Sequence, residues 1–178
     1  MLSLIDPNDF NLFIDLKYAT KENFVKEKLY SNTDLLLHED ATAKLIKASK
    51  IANNIGLRLK IFDAYRPFEI QEYMWNKFPN NKFISNPYEG SVPHCRGIAV
   101  DLTLTDQNGT ELEMGTEFDH FSEKSFHGNN EISKEAQQNR LLLLGIMTQA
   151  GWDFYTNEWW HYQLFNPRDY DIVRDVAP

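Results

Sequence analysis

The stretch SVPHCRGIAVDLTL, residues Ser91 to Leu104, begins as a loop and ends as a strand. Ile98 to Thr105 is apolar and β-branched enough to read as a buried strand, yet Asp101 sits inside it. A strand core excludes a carboxylate unless the charge has a partner. His94, seven residues earlier, is one candidate for that partner's other ligands. Gly97 and Ala99 are small, so other backbone or a ligand can come close to the strand's start.

Outward from this strand, the chain alternates helical and extended patterns. Phe10 to Tyr18 reads as a strand through Leu12, Ile14 and Leu16. Asp40 is placed to cap a helix with Leu45, Ala48, Ile51, Ala52 and Ile55 on one face and Gly56 at its end. Leu57, Leu59 and Ile61 alternate with basic residues as a second strand, and Pro67 opens a further helix. Asn108-Gly109 is a hairpin turn signal. Ser133 to Ala150 reads as a long helix carrying Leu141, Leu142, Leu144 and Ile146, closed by Gly151. Trp152 to Tyr155 and Glu158 to Phe165 form a last hairpin around Thr156-Asn157. The expected class is α+β, a largely antiparallel sheet with flanking helices, in one domain spanning residues 1–178.

Composition narrows the function. A net charge of −8 argues against nucleic acid as partner. No stretch reaches the roughly eighteen apolar residues of a membrane span, and the acidic N-terminal segment MLSLIDPNDF does not read as a leader. The single cysteine, Cys95, excludes an internal disulfide and fits a reducing, cytoplasmic setting.

A second stretch, NEWWHYQLF (Asn157 to Phe165), sets Glu158 three residues before His161. With His94 and Asp101 it supplies two imidazoles and two carboxylates, the donors that zinc accepts. Two histidines and one carboxylate would hold the ion, leaving the other carboxylate for proton transfer. Positions three apart point to opposite faces of an ideal strand, so the start of this one must bend for Glu158 and His161 to share a cleft. Read singly, each residue has a plainer role: His161 as a core histidine among aromatics, Asp101 as a hydrogen-bond partner for a loop. His38-Glu39 lacks a second histidine, because Thr42 stands in its place. Cys95 as a nucleophile would need a base placed in space. His120 and His127 read as surface or supporting residues.

Taken together, SVPHCRGIAVDLTL and EWWHYQ resemble the zinc-dependent D-alanyl-D-alanine dipeptidases (VanX-type), within a group of D,D-peptidases that shares a fold with the hedgehog signalling domain. DLKYATKENF (Asp15 to Phe24), DAYRP (Asp63 to Pro67), MGTEFD (Met114 to Asp119) and NRLLL (Asn139 to Leu143) fit the same family in the expected order. The resemblance implies one zinc ion per chain bound by His94, Asp101 and His161, with Glu158 as catalytic base and Arg66 steadying the oxyanion. It implies that Asp119 and Tyr18 line the pocket for a dipeptide, Asp119 holding its ammonium. The sequence departs from the family at Cys95, where a serine is usual, at Ser91, one position further from His94, and at Phe126, where a histidine is common. The expected reaction is hydrolysis of D-Ala-D-Ala to two D-alanines. Alternatives are a D,D-carboxypeptidase acting on longer peptidoglycan peptides and a non-catalytic zinc or peptide-binding module. Oligomeric state is open.

Overall fold

A computed structural model describes residues 1–174 of the chain. In chain order it holds β1 (Leu2–Leu4), α1 (Pro7–Phe10), β2 (Phe13–Ile14), β3 (Leu36–His38), α2 (Glu39–Asn54), β4 (Arg58–Asp63), α3 (Phe68–Lys77), β5 (Ala99–Thr105), α4 (Lys134–Ala150), β6 (Asp153–Phe154) and β7 (His161–Gln163). The main sheet runs β2-β4-β5-β7-β6. Its pairs are antiparallel except β2 with β4, which is parallel, and β1 pairs separately with β3. The class is α+β on a largely antiparallel sheet, as expected.

Strand β5 lies at the centre and is buried along its whole length. Val100, Leu102 and Leu104 join the main core with Leu59 and Ile61 of β4, Leu45, Ala48 and Ala52 of α2, and Leu143, Ile146, Met147 and Ala150 of α4. Alternation sends Asp101 to the opposite face. Leu59 pairs with Leu104 and Ile61 with Leu102, but the register then slips by one residue, so Asp63 faces Asp101 rather than Val100. That bulge turns Asp63 out of the core and onto the face of Asp101. On the other side, Asp101 stands opposite His161 of β7. Three adjacent strands thus present Asp63, Asp101 and His161 in one row.

Several element boundaries differ from expectation. Phe10 to Tyr18 is not one strand: α1 is capped by Asp6 and ended by Asn11 at φ 53°, β2 has two residues, and Lys17–Ala19 forms a 3-10 turn. Leucines 12 and 16 are buried from these irregular segments, so their spacing imitated a strand. The cap of α2 is His38, whose ring accepts from the Asp40 amide at 3.3 Å, and not Asp40. In α4 the buried stripe is Ala136, Arg140, Leu143, Ile146, Met147 and Ala150, while Leu141 and Leu142 face outward. A run of four leucines spreads over about 300° around the helix, so it cannot all face one way. Ser133 caps α4 and Gly151, at φ 102°, closes it as the sequence indicated. The Asn108-Gly109 turn forms, but its partner is only a bridge between Thr105 and Glu111. At Gly97 (φ 66°) a Cβ would fall 2.3 Å from Leu2 and 3.1 Å from the His38 amide nitrogen, so its smallness serves packing against β1 and β3.

Candidate active site

His94, Asp101 and His161 offer ligand atoms that all lie within 4.8 Å of one another. His94 Nε2 is 3.2 Å from His161 Nδ1 and 3.3 Å from Asp101 Oδ1, and His161 Nδ1 is 3.0 Å from Asp101 Oδ1. Metal–nitrogen bonds of about 2.0–2.1 Å give tetrahedral edges of about 3.3–3.4 Å, so this triangle is close to one face of a zinc coordination shell. The outer nitrogens sharpen the point. His94 Nδ1 lies 2.7 Å from the Ala64 carbonyl and His161 Nε2 lies 3.1 Å from Gln163 Oε1. The Ala64 carbonyl can only accept, so His94 carries its proton on Nδ1 and turns Nε2 inward as a lone pair, and Gln163 Oε1 offers an acceptor that lets His161 do the same through Nδ1. Three converging acceptors, all buried, repel unless a cation sits among them. The residues present therefore fit a metal ion.

Local structure sets each ligand. His94 lies in the 3-10 turn Pro93–Arg96, entered through Val92 at φ 42°. A β-branched residue in that region is strained, and such strain gathers at functional sites. Glu158 lies in the turn before β7, where its amide bonds Tyr155 O at 3.2 Å and its carbonyl accepts from His161 N at 3.4 Å. The strand starts only at His161, and this turn supplies the bend that the Glu-x-x-His spacing required. Glu158 Oε2 is 3.9 Å from His161 Nδ1, beside the triangle but not part of it. Burial pushes the Glu158 carboxyl well above the usual range, and Asp101 and Asp119 add to that.

Arg66 enters from the loop after β4. Its Nε and Nη2 donate to Asp63 Oδ2 at 2.9 and 2.7 Å, and Nη1 donates to Gln71 Oε1 at 2.8 Å. Tyr30 donates to the other Asp63 oxygen at 2.7 Å. Arg66 Nη2 is also 3.6 Å from Asp101 Oδ2, which places the guanidinium beside the ligand triangle.

Across the cavity, the Tyr18 hydroxyl donates to Asp119 Oδ2 at 2.9 Å. Asp119 has φ 58°, a left-handed backbone that aims its side chain toward the site. Burial raises its carboxyl to about 8, with the charge of Asp101 as second cause. Asp119 opens onto the cavity, so a cation arriving there would reverse that shift. The cavity measures about 250 Å³ and is lined by all seven residues singled out from sequence, with Phe24, Phe83 and Phe121 forming an aromatic wall.

The remaining candidates separate cleanly. Cys95 is buried and burial pushes its thiol up to about 12, which removes it as a nucleophile. Ser91 lines the cavity. His120 is exposed, while His127 is half-buried against the rings of Phe154 and Tyr162. Sequence reasoning missed Asp63, Tyr30, Gln71 and Gln163. Asp63 was visible as the acid three residues before Arg66, and Gln163 as the residue two after His161 on one strand face. Nothing in the sequence marked Gln71 or Tyr30. Among the described residues, no helix is long and apolar enough to cross a membrane.

A family model described as D-Ala-D-Ala dipeptidase matches residues 9–174. A D-alanyl-D-alanine dipeptidase of Escherichia coli (strain K12) is 40% identical over 174 residues, covering 98% of this chain and 88% of that protein. One from Enterococcus faecium is 34% identical over 170 residues, 84% of each chain. One from Enterococcus faecalis (strain ATCC 700802 / V583) is 30% identical over 172 residues, 85% of each.

Proposed function

The chain belongs to the D-Ala-D-Ala dipeptidase family, and on that premise we propose that it cleaves the free dipeptide D-alanyl-D-alanine with one zinc ion held by His94, Asp101 and His161. It is a peptidase, and its reaction is hydrolysis of D-Ala-D-Ala to two D-alanines. The observation that carries the metal assignment is the convergence of His94 Nε2, His161 Nδ1 and Asp101 Oδ1, with acceptors at Ala64 O and Gln163 Oε1 behind the two rings.

Bound zinc supplies a Lewis acid for the scissile carbonyl and brings the pKa of a water ligand from about 15.7 towards roughly 7. Glu158 takes the proton from the attacking water as its oxygen bonds the carbonyl carbon. When the C–N bond breaks, Glu158 returns that proton to the leaving amine. The Arg66 N–H groups not engaged by Asp63 and Gln71 face the oxygen on which negative charge develops. A guanidinium suits this role because it stays charged and is held by bonds to both Asp63 and Gln71. Asp119 and Tyr18 hold the substrate ammonium.

Dipeptide length is favoured over a longer peptide by the wall of Phe24, Phe83 and Phe121 beside Asp119. A free thiol at the buried Cys95 fits a cytoplasmic location. Purified protein assayed on D-Ala-D-Ala and on a longer peptide ending in the same pair tests the reading. Turnover of the dipeptide alone supports it, and preferential turnover of the longer peptide replaces it with the carboxypeptidase.

A further inference from the structure

Gln71 is 2% exposed on α3 and joins two parts of the site, the guanidinium of Arg66 and the backbone at Ser85. Its Oε1 accepts from Arg66 Nη1 at 2.8 Å, and its Nε2 donates to the Ser85 carbonyl at 2.7 Å. A guanidinium cannot accept and a carbonyl cannot donate, so the amide has one possible orientation. Ser85 belongs to segment 79–92, from which Asn81, Phe83, Ile84, Gly90 and Ser91 also line the cavity. The same segment is tied at the Lys82 carbonyl, which accepts from Tyr155 Oη at 3.1 Å and Asn157 Nδ2 at 3.3 Å, in the turn that carries Glu158. The cavity wall therefore hangs between Arg66 and Glu158, and Gln71 is the link on the arginine side.

Asp63 alone does not set the direction of Arg66. It receives Nε and Nη2 on a single oxygen, Oδ2, because Tyr30 occupies the other. One shared acceptor lets the guanidinium plane swing, whereas a two-oxygen fork would fix it. A third bond from Nη1 removes that freedom.

Resting on the dipeptidase reading, we propose that Gln71 is a positioning residue: it fixes the plane of Arg66 and sets it in register with the cavity wall at Ser85. Arg66 then meets the developing oxyanion with no reorganisation. Misplacement of a charge-stabilising donor costs rate more than binding, because the donor acts on charge that exists only in the transition state.

The test uses Gln71→Met, which keeps the length and loses both bonds, and Gln71→Glu, which keeps an acceptor for Nη1. Gln71→Met should lower kcat by about 10- to 100-fold with KM changed less than about threefold. Gln71→Glu should recover at least about fivefold in kcat over the methionine variant. Equal kcat in both variants, or kcat in Gln71→Met within about twofold of wild type, overturns the proposal. A second readout does not need turnover. In ¹⁵N-arginine-labelled wild-type protein the Arg66 Nη1 and Nη2 signals should be resolved and slow to exchange, and Gln71→Met should merge them. Freely averaged Nη signals in wild type overturn the proposal even where the methionine variant does not fold. Wild-type protein that fails to turn over D-Ala-D-Ala while showing a locked Arg66 would sink the dipeptidase reading and leave the positioning role standing.

Discussion

Asp63 and Asp101 stand directly opposite each other across β4 and β5, although strict alternation along β4 would point Asp63 into the core beside Ile61. The one-residue slip between Ile61 and Asp63 brings the two carboxylates onto one face. They then divide their neighbours. Asp101 faces the two histidine rings, and Asp63 takes the Arg66 guanidinium and the Tyr30 hydroxyl. The sheet thereby holds a metal-type donor set and an arginine side by side without leaving either carboxylate unpaired.

The support behind the ligands is testable at Gln163. Its Oε1 lies 3.1 Å from His161 Nε2, the contact that would keep Nδ1 unprotonated toward the proposed metal. Gln163→Leu should weaken zinc affinity by about 10- to 100-fold while leaving the fold intact. Competition with a chelator of known affinity measures it. His161→Ala should lose most of its zinc, and full retention there removes His161 from the ligand set.

Glu158 and Asp101 should separate by what each variant loses. Glu158→Gln should retain zinc and lose about 10²–10⁴-fold in kcat. Asp101→Asn should lose affinity for the metal, with partial recovery in excess zinc. Metal content and kcat on both variants decide it: zinc loss in the first with retention in the second reverses the two assignments.

The proposed selectivity for a free amino end places the ammonium at Asp119 and Tyr18, which share a hydrogen bond of 2.9 Å. Asp119→Asn should raise KM for D-Ala-D-Ala by at least about tenfold, since a desolvated ammonium would face a neutral amide. N-acetyl-D-Ala-D-Ala should be turned over poorly by wild type. Comparable kcat/KM on blocked and free dipeptide would remove the ammonium role from Asp119.

The site was more legible in the sequence than the scaffold's edges were. Asp101 stands out as a charge within a buried strand, because a core rejects an unpaired carboxylate, whereas the aromatic setting of His161 reads by itself as core and only the Glu-x-x-His spacing and the family resemblance single out His161 and Glu158. Short elements were not legible. Whether Leu12 and Leu16 belong to a strand depends on where β2 finds a partner, and β2 pairs for only two residues. Leu141 and Leu142 read as core because composition does not say which side of a helix meets the sheet. Gln71 left no trace, since its role comes from a contact with Ser85 across a loop.

Acid sensitivity should centre on His127. Burial lowers its ring from the ordinary 6.5 to about 4, the charge of Arg140 adds to that, and a bond to the Glu158 backbone opposes it. The neighbouring Phe154 and Tyr162 rings offer no counter-charge, and Nε2 has no hydrogen-bond partner among the described residues. The folded protein therefore keeps the ring neutral where the unfolded chain protonates it. Above about pH 6.5 both states are neutral and the group costs no stability. As pH falls from there towards 4 the unfolded state binds the extra proton, and stability drops by on the order of 2 kcal/mol once partial exposure is allowed for. His127→Phe removes the titration and keeps a ring between Phe154 and Tyr162. Denaturant unfolding of both proteins at several pH values between 4 and 8 should give curves that converge or cross in favour of the variant on the acid side. A variant whose stability falls with pH as steeply as wild type would place the acid-sensitive group elsewhere.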